Sequence, residues 1–375
     1  MNRSFVIDLL KLLAAQAIVL HHLSVYGPMA IAMEDMWPVV SDQFFAYSRL
    51  AVQVFLVMGG FLAAQSIRLD SSAPSALQAA QWIGKRYLRL MPAYLVAMCL
   101  IGVVVWACRS HISGDWLVAS PTWASVLAHV LTLQGLLGLP SLSAGVWYVA
   151  MDFQLFVLFV LLMSASRTPR MLSWSVLALC AASMWFYNLH VELNNWAVYF
   201  FGSYGLGIMA AWSRRSVRDT ALFVLTVLVA LLGLWIQTRI RLQVALVTAV
   251  LLACAVHWRT PANGWGQWMK RLADSSFGLF LTHYGVIVIV ASVWELVGMH
   301  GAHAALVVTI VTWWLAVGIG LAFHRWVEQP IAQWLQPRLN VPRANVPSHT
   351  ATHTAPTHLP WPAHTRTPQT SPTLR

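Results

Sequence analysis

Apolar residues in this chain gather into long runs that are separated by short polar stretches. Ten of these runs are long enough to cross a bilayer, which requires about 20 mainly apolar residues. We therefore predict an all-α, polytopic membrane protein with about ten transmembrane helices. The predicted spans are residues 5–26, 44–66, 89–108, 147–164, 171–188, 195–212, 219–236, 241–258, 277–297 and 303–325.

An eleventh run, residues 122–139, is less purely apolar because it contains Gln134, Gly135 and Gly138. The distribution of Lys and Arg decides its status, since both residues are enriched in cytoplasmic loops. With ten spans and a cytoplasmic N-terminus, almost all Lys and Arg residues fall on the inner side. An eleventh span would invert the orientation of everything after it and remove this bias. We therefore predict that both termini are cytoplasmic and that 122–139 is re-entrant or interfacial on the outer face. The Lys and Arg residues that fall on the outer side are Arg49, Arg109, Arg239 and Arg241.

The composition agrees with a membrane protein, since 59% of the residues are hydrophobic and only 9% are charged. Soluble domains carry far more charge. The net charge of +11 does not indicate a nucleic-acid partner, because the basic residues are spread over short loops, as topogenic charges are. The four cysteines lie in or beside apolar runs at unrelated spacings, so we predict neither a disulfide framework nor a zinc site.

The composition changes near Leu339, beyond which Thr, Pro and His dominate up to Arg375. Such a segment has too few apolar residues to form a core. We therefore predict a membrane domain over residues 1–338 and a disordered cytoplasmic tail over 339–375. The histidines of the tail are irregularly spaced and lack nearby Cys or acidic residues, so we predict no metal site.

The first span is unusual because it carries ionisable residues at positions where a membrane helix is normally apolar. Lys11 and His22 are 11 residues apart, close to three helical turns, and therefore share one face, with Asp8 one turn before Lys11. Ionisable groups inside a span cost a few kcal/mol each and usually face a polar cavity with a function. Asp8 and Lys11 have a simpler alternative, a neutralising pair within the helix.

The predicted topology puts the polar residues at two depths. Near the outer ends lie His21, His22, Arg49, Gln53, Asp152 and Gln154, and near the inner ends lie Lys11, Arg86, Arg89, His283, Arg325 and Glu328. A histidine beside an aspartate suits general base catalysis, and inner basic residues suit a phosphate-rich ligand from the cytosol. The run KRYLR at 85–89 has the alternative of a topogenic anchor, and His283 that of a hydrogen-bonded core histidine.

Six stretches carry a family resemblance in a fixed order. They are IDLLKLLAAQAIVLHH at 7–22, AVQVFLVMGGFLAA at 51–64, WIGKRYLRLMPAYLV at 82–96, GVWYVAMDFQLFV at 145–157, SSFGLFLTH at 275–283 and HRWVEQPIAQW at 324–334. Together they resemble the integral-membrane acyltransferase family 3, which includes O-acetyltransferases of cell-surface glycans. Lys11 stands where the family usually has Arg, Asp152 where it has Glu, and Gly59 where it has Ser.

The resemblance implies a membrane O-acyltransferase that moves an acetyl or other short acyl group from cytosolic acetyl-CoA, or another acyl-CoA, to a hydroxyl. The acceptor is expected to be a cell-surface or lipid-linked glycan, and the location the inner (plasma) membrane, in contact with lipid. His22 takes the position of the family's essential histidine, as base or transient acyl carrier, with Asp152 orienting it. Lys11, Arg86, Arg89 and His283 are the candidates for binding the acyl-CoA.

Many family members carry an extracytoplasmic esterase-like domain. This chain resembles the stand-alone members, which act directly on the acceptor or hand the group to a separate extracytoplasmic partner. The alternative function is a secondary transporter or flippase for an envelope precursor, with paired charges that couple protons or bind the substrate.

Overall fold

The computed structural model describes residues 4–67, 73–255 and 257–339. Its regular structure is helical, apart from an isolated bridge between Ser4 and Arg259. In chain order the helices are α1 (Phe5–Leu23), α2 (Pro28–Met36), α3 (Pro38–Ser48), α4 (Ala51–Ser66), α5 (Ala76–Cys108), α6 (Trp123–Val130), α7 (Trp147–Ala165), α8 (Pro169–Trp185), α9 (Ala197–Trp212), α10 (Val217–Ile236), α11 (Ile240–Ala255), α12 (Gly264–Asp274), α13 (Ser276–Val297), α14 (Ala302–Phe323) and α15 (Gln329–Leu339). Two short 3-10 turns precede α9, and a π-turn at His324–Glu328 joins α14 to α15.

Within the described residues, eight helices are long and apolar enough to cross a membrane, and two shorter apolar helices are α9 and α11. The all-α, polytopic membrane fold is thereby confirmed. Each predicted span overlaps one of these ten helices. The number of crossings and the cytoplasmic position of the termini stay predictions. The predicted tail lies outside the described residues, except for Leu339, where α15 ends.

The helix α9 forms the centre of one half of the molecule, since α4, α7, α8, α10 and α11 all pack against it. Nearly all of its side chains are buried, although it is short. Glycines permit the close approach: a methyl group at Gly60 would overlap the carbonyl oxygen of Tyr204, and one at Gly207 would overlap that of Val57. Small residues at such contacts let membrane helices pack by van der Waals attraction.

The other half is organised around α13, which packs against α1, α5 and α14. Here too the backbones touch closely, since a Cβ atom at Gly320 would lie 2.7 Å from the Cα of Leu279. The first helix, α1, packs against both α4 and α13. Residues on α1 can therefore meet side chains from both halves.

The helix α5 begins at Ala76, well before the predicted start of its span at residue 89. Ser75 and Gln78 form a reciprocal capping box that fixes this start. The basic run at 85–89 therefore lies on the helix and not in a loop. At 1.5 Å per residue the helix is about 50 Å long, which exceeds the roughly 30 Å hydrocarbon core of a bilayer.

The segment 122–139 contains the short helix α6 followed by turns, rather than a span. The hydroxyl of Tyr87 on α5 donates to the carbonyl of Val130 at 2.8 Å. Tyr87 lies 21 residues, or about 32 Å, before the end of α5 at Cys108. The segment thus reaches far along α5, and its re-entrant or interfacial position on the outer face stays a prediction. The following loop is deeply buried as well, with Ser143 and Val146 at 1% and 0% exposure.

Candidate functional site

Two histidines from distant parts of the chain meet where α1 and α13 pack. The Nδ1 of His22 lies 2.6 Å from the Nε2 of His283, and both residues are buried. The ring planes differ by only 6° and the centroids are 4.8 Å apart. With so short an N–N distance, this is the geometry of two rings joined edge to edge in one plane, so that the hydrogen bond is well directed.

The surroundings of His283 determine which nitrogen carries each proton. Its Nδ1 lies 3.1 Å from the carbonyl oxygen of Leu279, which can only accept, so Nδ1 is the protonated nitrogen. The Nε2 of a neutral His283 then accepts from Nδ1–H of His22. His22 is therefore left with a free lone pair on Nε2, which is the form that a general base requires.

His22 lines a cavity of about 350 Å³, whereas His283 stands behind it. The cavity is also lined by His21 from α1, Arg49 from the end of α3 and Gln53 from α4. Gln53 is held by the hydroxyl of Ser203 on α9, which donates to its Oε1 at 2.6 Å. Four of the six polar residues predicted near the outer ends of the spans therefore line one cavity, namely His21, His22, Arg49 and Gln53, and their depth in the membrane stays a prediction.

The rest of the cavity lining combines aromatic rings with amides. Trp147, Tyr148 and Phe280 supply the rings, and Asn194 and Asn195 supply the amides. Phe280 packs edge-on to Tyr148, with centroids 5.7 Å apart, which holds both rings in position. Apolar faces with a few placed hydrogen-bonding groups are typical of small-molecule sites.

Gly145 brings the buried loop before α7 close to His22. Its φ of +77° lies in the left-handed region that favours glycine. A Cβ atom there would lie 3.2 Å from the Cε1 of His22 and 3.2 Å from the Cζ of Phe280. A glycine is therefore required both by the backbone conformation and by the narrow space beside the imidazole.

Asp152 is not the partner of His22. Its Oδ2 accepts from the Nη2 of Arg86 in an ion pair between α7 and α5. The guanidinium of Arg86 also lies over the ring of Phe156, with 5.5 Å between its Cζ and the centroid. The expected Asp152–His22 pair is therefore wrong as a contact, because a charged guanidinium reaches Asp152 first and binds a carboxylate more strongly than a neutral imidazole does.

The predicted separation into two depths is also wrong for His283 and Arg86, each of which contacts a residue expected at the other depth. One reason is α12, an unpredicted helix that packs against α1. Its presence lets α13 begin beside the middle of α1, where Leu279 joins a cluster with Ala15 and Val19. The other reason is that α7 begins behind a buried loop.

The remaining predicted site residues lie apart from the cavity wall. Lys11 is half-buried on α1, and Arg89 is exposed on α5. Asp8 is fully buried and accepts a hydrogen bond from the hydroxyl of Thr260 at 2.9 Å. Gln154 donates to the carbonyl of Thr132 at 2.7 Å and so connects α7 to the segment 122–139.

Sequence reasoning missed Asn194, Asn195 and Arg241, which line the cavity. Arg241 was assigned to the outer side, where its neighbour Arg239 and two further arginines also fall, but nothing in the sequence singles it out. The asparagines lie in a short polar loop that resembles any other connection. Trp147 also lines the cavity.

Metal ligation is not indicated in the described part of the chain. No three His, Cys, Asp or Glu side chains among residues 4–67, 73–255 and 257–339 lie close enough to hold an ion.

The protein is thus a helical membrane protein with a candidate catalytic base, since the buried His22 faces a cavity that carries polar side chains. A family model described as an acyltransferase domain matches residues 5–323. The chain belongs to the integral-membrane acyltransferase family 3, as the six stretches predicted.

A second comparison finds a partial relative. The chain is 29% identical over 111 residues to the Regulator of hypoxia-inducible factor 1 of Caenorhabditis elegans. The match covers 29% of this chain and 22% of that protein, so the chain spans about a fifth of the length of this relative. No solved structure matches the chain.

Proposed function

We propose that this protein is an O-acyltransferase of the inner membrane, with His22 as the general base. It moves an acetyl or other short acyl group from cytosolic acyl-CoA to a hydroxyl of a cell-surface or lipid-linked glycan. The observation that carries the proposal is the His22–His283 hydrogen bond, which leaves Nε2 of His22 unprotonated on a residue that lines the cavity.

The chemical step follows from this arrangement. The acceptor hydroxyl donates its proton to Nε2 of His22 while its oxygen attacks the carbonyl carbon of the thioester. The C–S bond then breaks, and the imidazolium returns the proton to the leaving thiolate, so the products are an ester and free CoA thiol. The bond to His283 stabilises the imidazolium by keeping Nδ1–H engaged throughout.

The same lone pair is the nucleophile in a covalent route. Attack of Nε2 on the thioester would give an acyl-imidazole that the acceptor hydroxyl then opens. The general base route is the simpler of the two because it requires one transfer instead of two. Acyl label that stays attached to the protein in the absence of acceptor would identify the covalent route.

The donor approaches from the side of Lys11 and Arg89. Lys11 precedes His22 by 11 residues, or about 16 Å along α1, and the flexible pantetheine arm of CoA suits a distance of this size. Arg89 is exposed and suits a phosphate contact. Arg86, held by Asp152, instead stiffens the α5–α7 contact beside this path.

The acceptor occupies the cavity. A saccharide presents apolar ring faces and many hydroxyls, and the cavity offers the rings of Trp147 and Tyr148 together with the amides of Gln53, Asn194 and Asn195. Amides both donate and accept hydrogen bonds, which suits hydroxyl groups.

The test is transfer of radiolabelled acetyl from acetyl-CoA into envelope glycan, in membranes with matched amounts of protein. We expect labelling by the native protein and by His300→Ala, an exposed histidine outside the cavity, and none by His22→Ala. Equal labelling by His22→Ala and the native protein would remove His22 from the chemistry. Transport of a saccharide without any acyl transfer would favour the flippase alternative.

A further inference from the structure

The cavity carries two positive charges that the acyl-transfer step does not use. Arg49 and Arg241 both line it, and they come from different elements, the end of α3 and the first turn of α11. Within the described part of the chain, neither side chain has a hydrogen bond or an ion pair. No Asp or Glu is among the described residues that line the cavity.

The other outer arginines are engaged, which sets these two apart. Arg239 donates to the carbonyl of Met184 at 2.7 Å, and Arg109 donates to that of Val118 at 2.7 Å. Both therefore have a structural role in the folded chain. Among the described residues, Arg49 is supported by the aromatic ring of Phe45 alone, with its Cζ 5.0 Å from the centroid, which leaves its N–H groups available.

The position of Arg241 is unfavourable for the helix that carries it. The N-terminus of a helix bears a partial positive charge, so a cation in the first turn of α11 is destabilising. Two guanidinium groups around one cavity also repel each other, and guanidinium remains charged at any physiological pH. An oxyanion bound by both arginines would offset the repulsion between them and the unfavourable charge at the start of α11, because it accepts several charge-assisted hydrogen bonds.

We propose that Arg49 and Arg241 bind an anionic group of the acceptor, so that the protein selects an acidic saccharide. The inference rests on the proposed function and names the substrate class of the same site. The group is a carboxylate or a phosphate, either on the sugar itself or in the link to a lipid carrier. With the anion held by the arginines, the hydroxyl to be acylated lies toward His22.

Binding without any acyl donor tests this inference separately from the reaction. The protein is purified in lipid nanodiscs, and dissociation constants are measured for two matched pairs of probes. The first pair is a glucuronic acid oligosaccharide and its carboxyl-reduced counterpart. The second pair is glucose linked to dodecanol through a phosphate and dodecyl glucoside, so that the two sources of negative charge are distinguished.

We expect one charged probe to bind at least about tenfold more tightly than its neutral partner, as the loss of a charge-assisted hydrogen bond predicts. Arg49→Gln and Arg241→Gln should each remove most of this preference, and Arg109→Gln should keep it. Equal binding of charged and neutral probes, or a preference that survives in Arg49→Gln/Arg241→Gln, would overturn the inference. An equal loss in Arg109→Gln would also overturn it, since the effect would then be one of surface charge.

The outcome is independent of acyl transfer. A charge preference that depends on both arginines supports the anion site even if no acyl transfer is found, in which case the proposed function fails and the site remains. Acyl transfer that depends on His22 without any charge preference leaves the proposed function standing and removes the inference.

Discussion

Nδ1 of His22 is hydrogen-bonded to Nε2 of His283 across 261 positions of the chain, at 2.6 Å. The contact joins the first helix to the thirteenth and fixes the tautomer of the residue that faces the cavity. His283 therefore acts through His22 as a positioning residue, since it does not line the cavity itself.

His283→Ala should lower kcat by about 10- to 100-fold, because His22 loses the acceptor that fixes its tautomer and stabilises its imidazolium. His283→Gln should recover part of the rate, since its amide oxygen can accept from Nδ1 of His22. KM for acetyl-CoA should change little in either variant. Steady-state kinetics of the purified proteins would measure this. Identical kcat values for the two variants would indicate that His283 only fills space.

The ion pair between Arg86 and Asp152 should show strong coupling, because the side chains are only 22% and 8% exposed. Arg86→Gln or Asp152→Asn leaves the other charge buried and unpaired, which costs about 3 kcal/mol. The double variant removes both charges and should lose less than the two single variants together. Thermal unfolding in one detergent would measure all four proteins. Additive losses would mean that the pair contributes little.

Gly145→Ala should lower acyl transfer at least about tenfold, since the new methyl group would press on His22 and Phe280 at 3.2 Å and displace the imidazole. Gly138→Ala is the matched control. Gly138 also has a positive φ, +64°, but nothing lies within 4 Å of its added Cβ, so it shares the backbone strain without the contact. The activity per folded protein separates the two effects. Equal activity of the two variants would argue against a constraint on His22.

His129 should make the stability of the segment 122–139 depend on pH. Its Nδ1–H donates to the carbonyl of Ser125 at 2.7 Å and its Nε2 accepts from the backbone N–H of Leu142 at 3.2 Å, so it is neutral in the fold. Burial lowers its pKa, and the bond to Ser125 offsets this only in part. At acidic pH the unfolded state therefore binds a proton at His129 that the native state does not bind. The stability that neutral His129 contributes to the folded state is lost as the pH falls below about 6.5.

We expect the native protein to lose up to about 1.4 kcal/mol of stability per pH unit below that point through this residue. His129→Gln keeps both hydrogen-bonding functions without a titrating group and should lose less on acidification. The melting temperatures of the two proteins between pH 7.5 and 5 measure the difference. Parallel curves would show that His129 does not titrate on unfolding.

The helices could be predicted from the sequence because the cost of exposing polar backbone to lipid is local, so hydrophobic runs mark spans directly. The six stretches in their fixed order were enough to predict the family, and the first of these stretches identified His22 as a candidate site residue. The partner of His22 was not predictable, because the offset between α1 and α13 depends on α12, whose amphipathic sequence gives no spanning signal. Asp152 was misplaced for a similar reason, since a buried loop precedes α7.

The cavity was only half predictable. His21, His22, Arg49 and Gln53 lie on predicted spans, were predicted to be near one another, and line the same cavity. Asn194 and Arg241 lie in a loop and at a helix start, where the position of a side chain depends on tertiary packing and not on periodicity. Arg49 and Arg241, which are unpaired among the residues that the structure describes, therefore became recognisable only in the folded chain.

The most direct measurement is the rate of acetyl transfer by purified His22→Ala in nanodiscs, with and without added imidazole. We expect a rate at least about 100-fold below that of the native protein, as the loss of a general base predicts, and partial recovery when imidazole enters the vacated space. A His22→Ala rate within twofold of the native rate would contradict the role of His22 as the general base and remove its imidazole from the reaction.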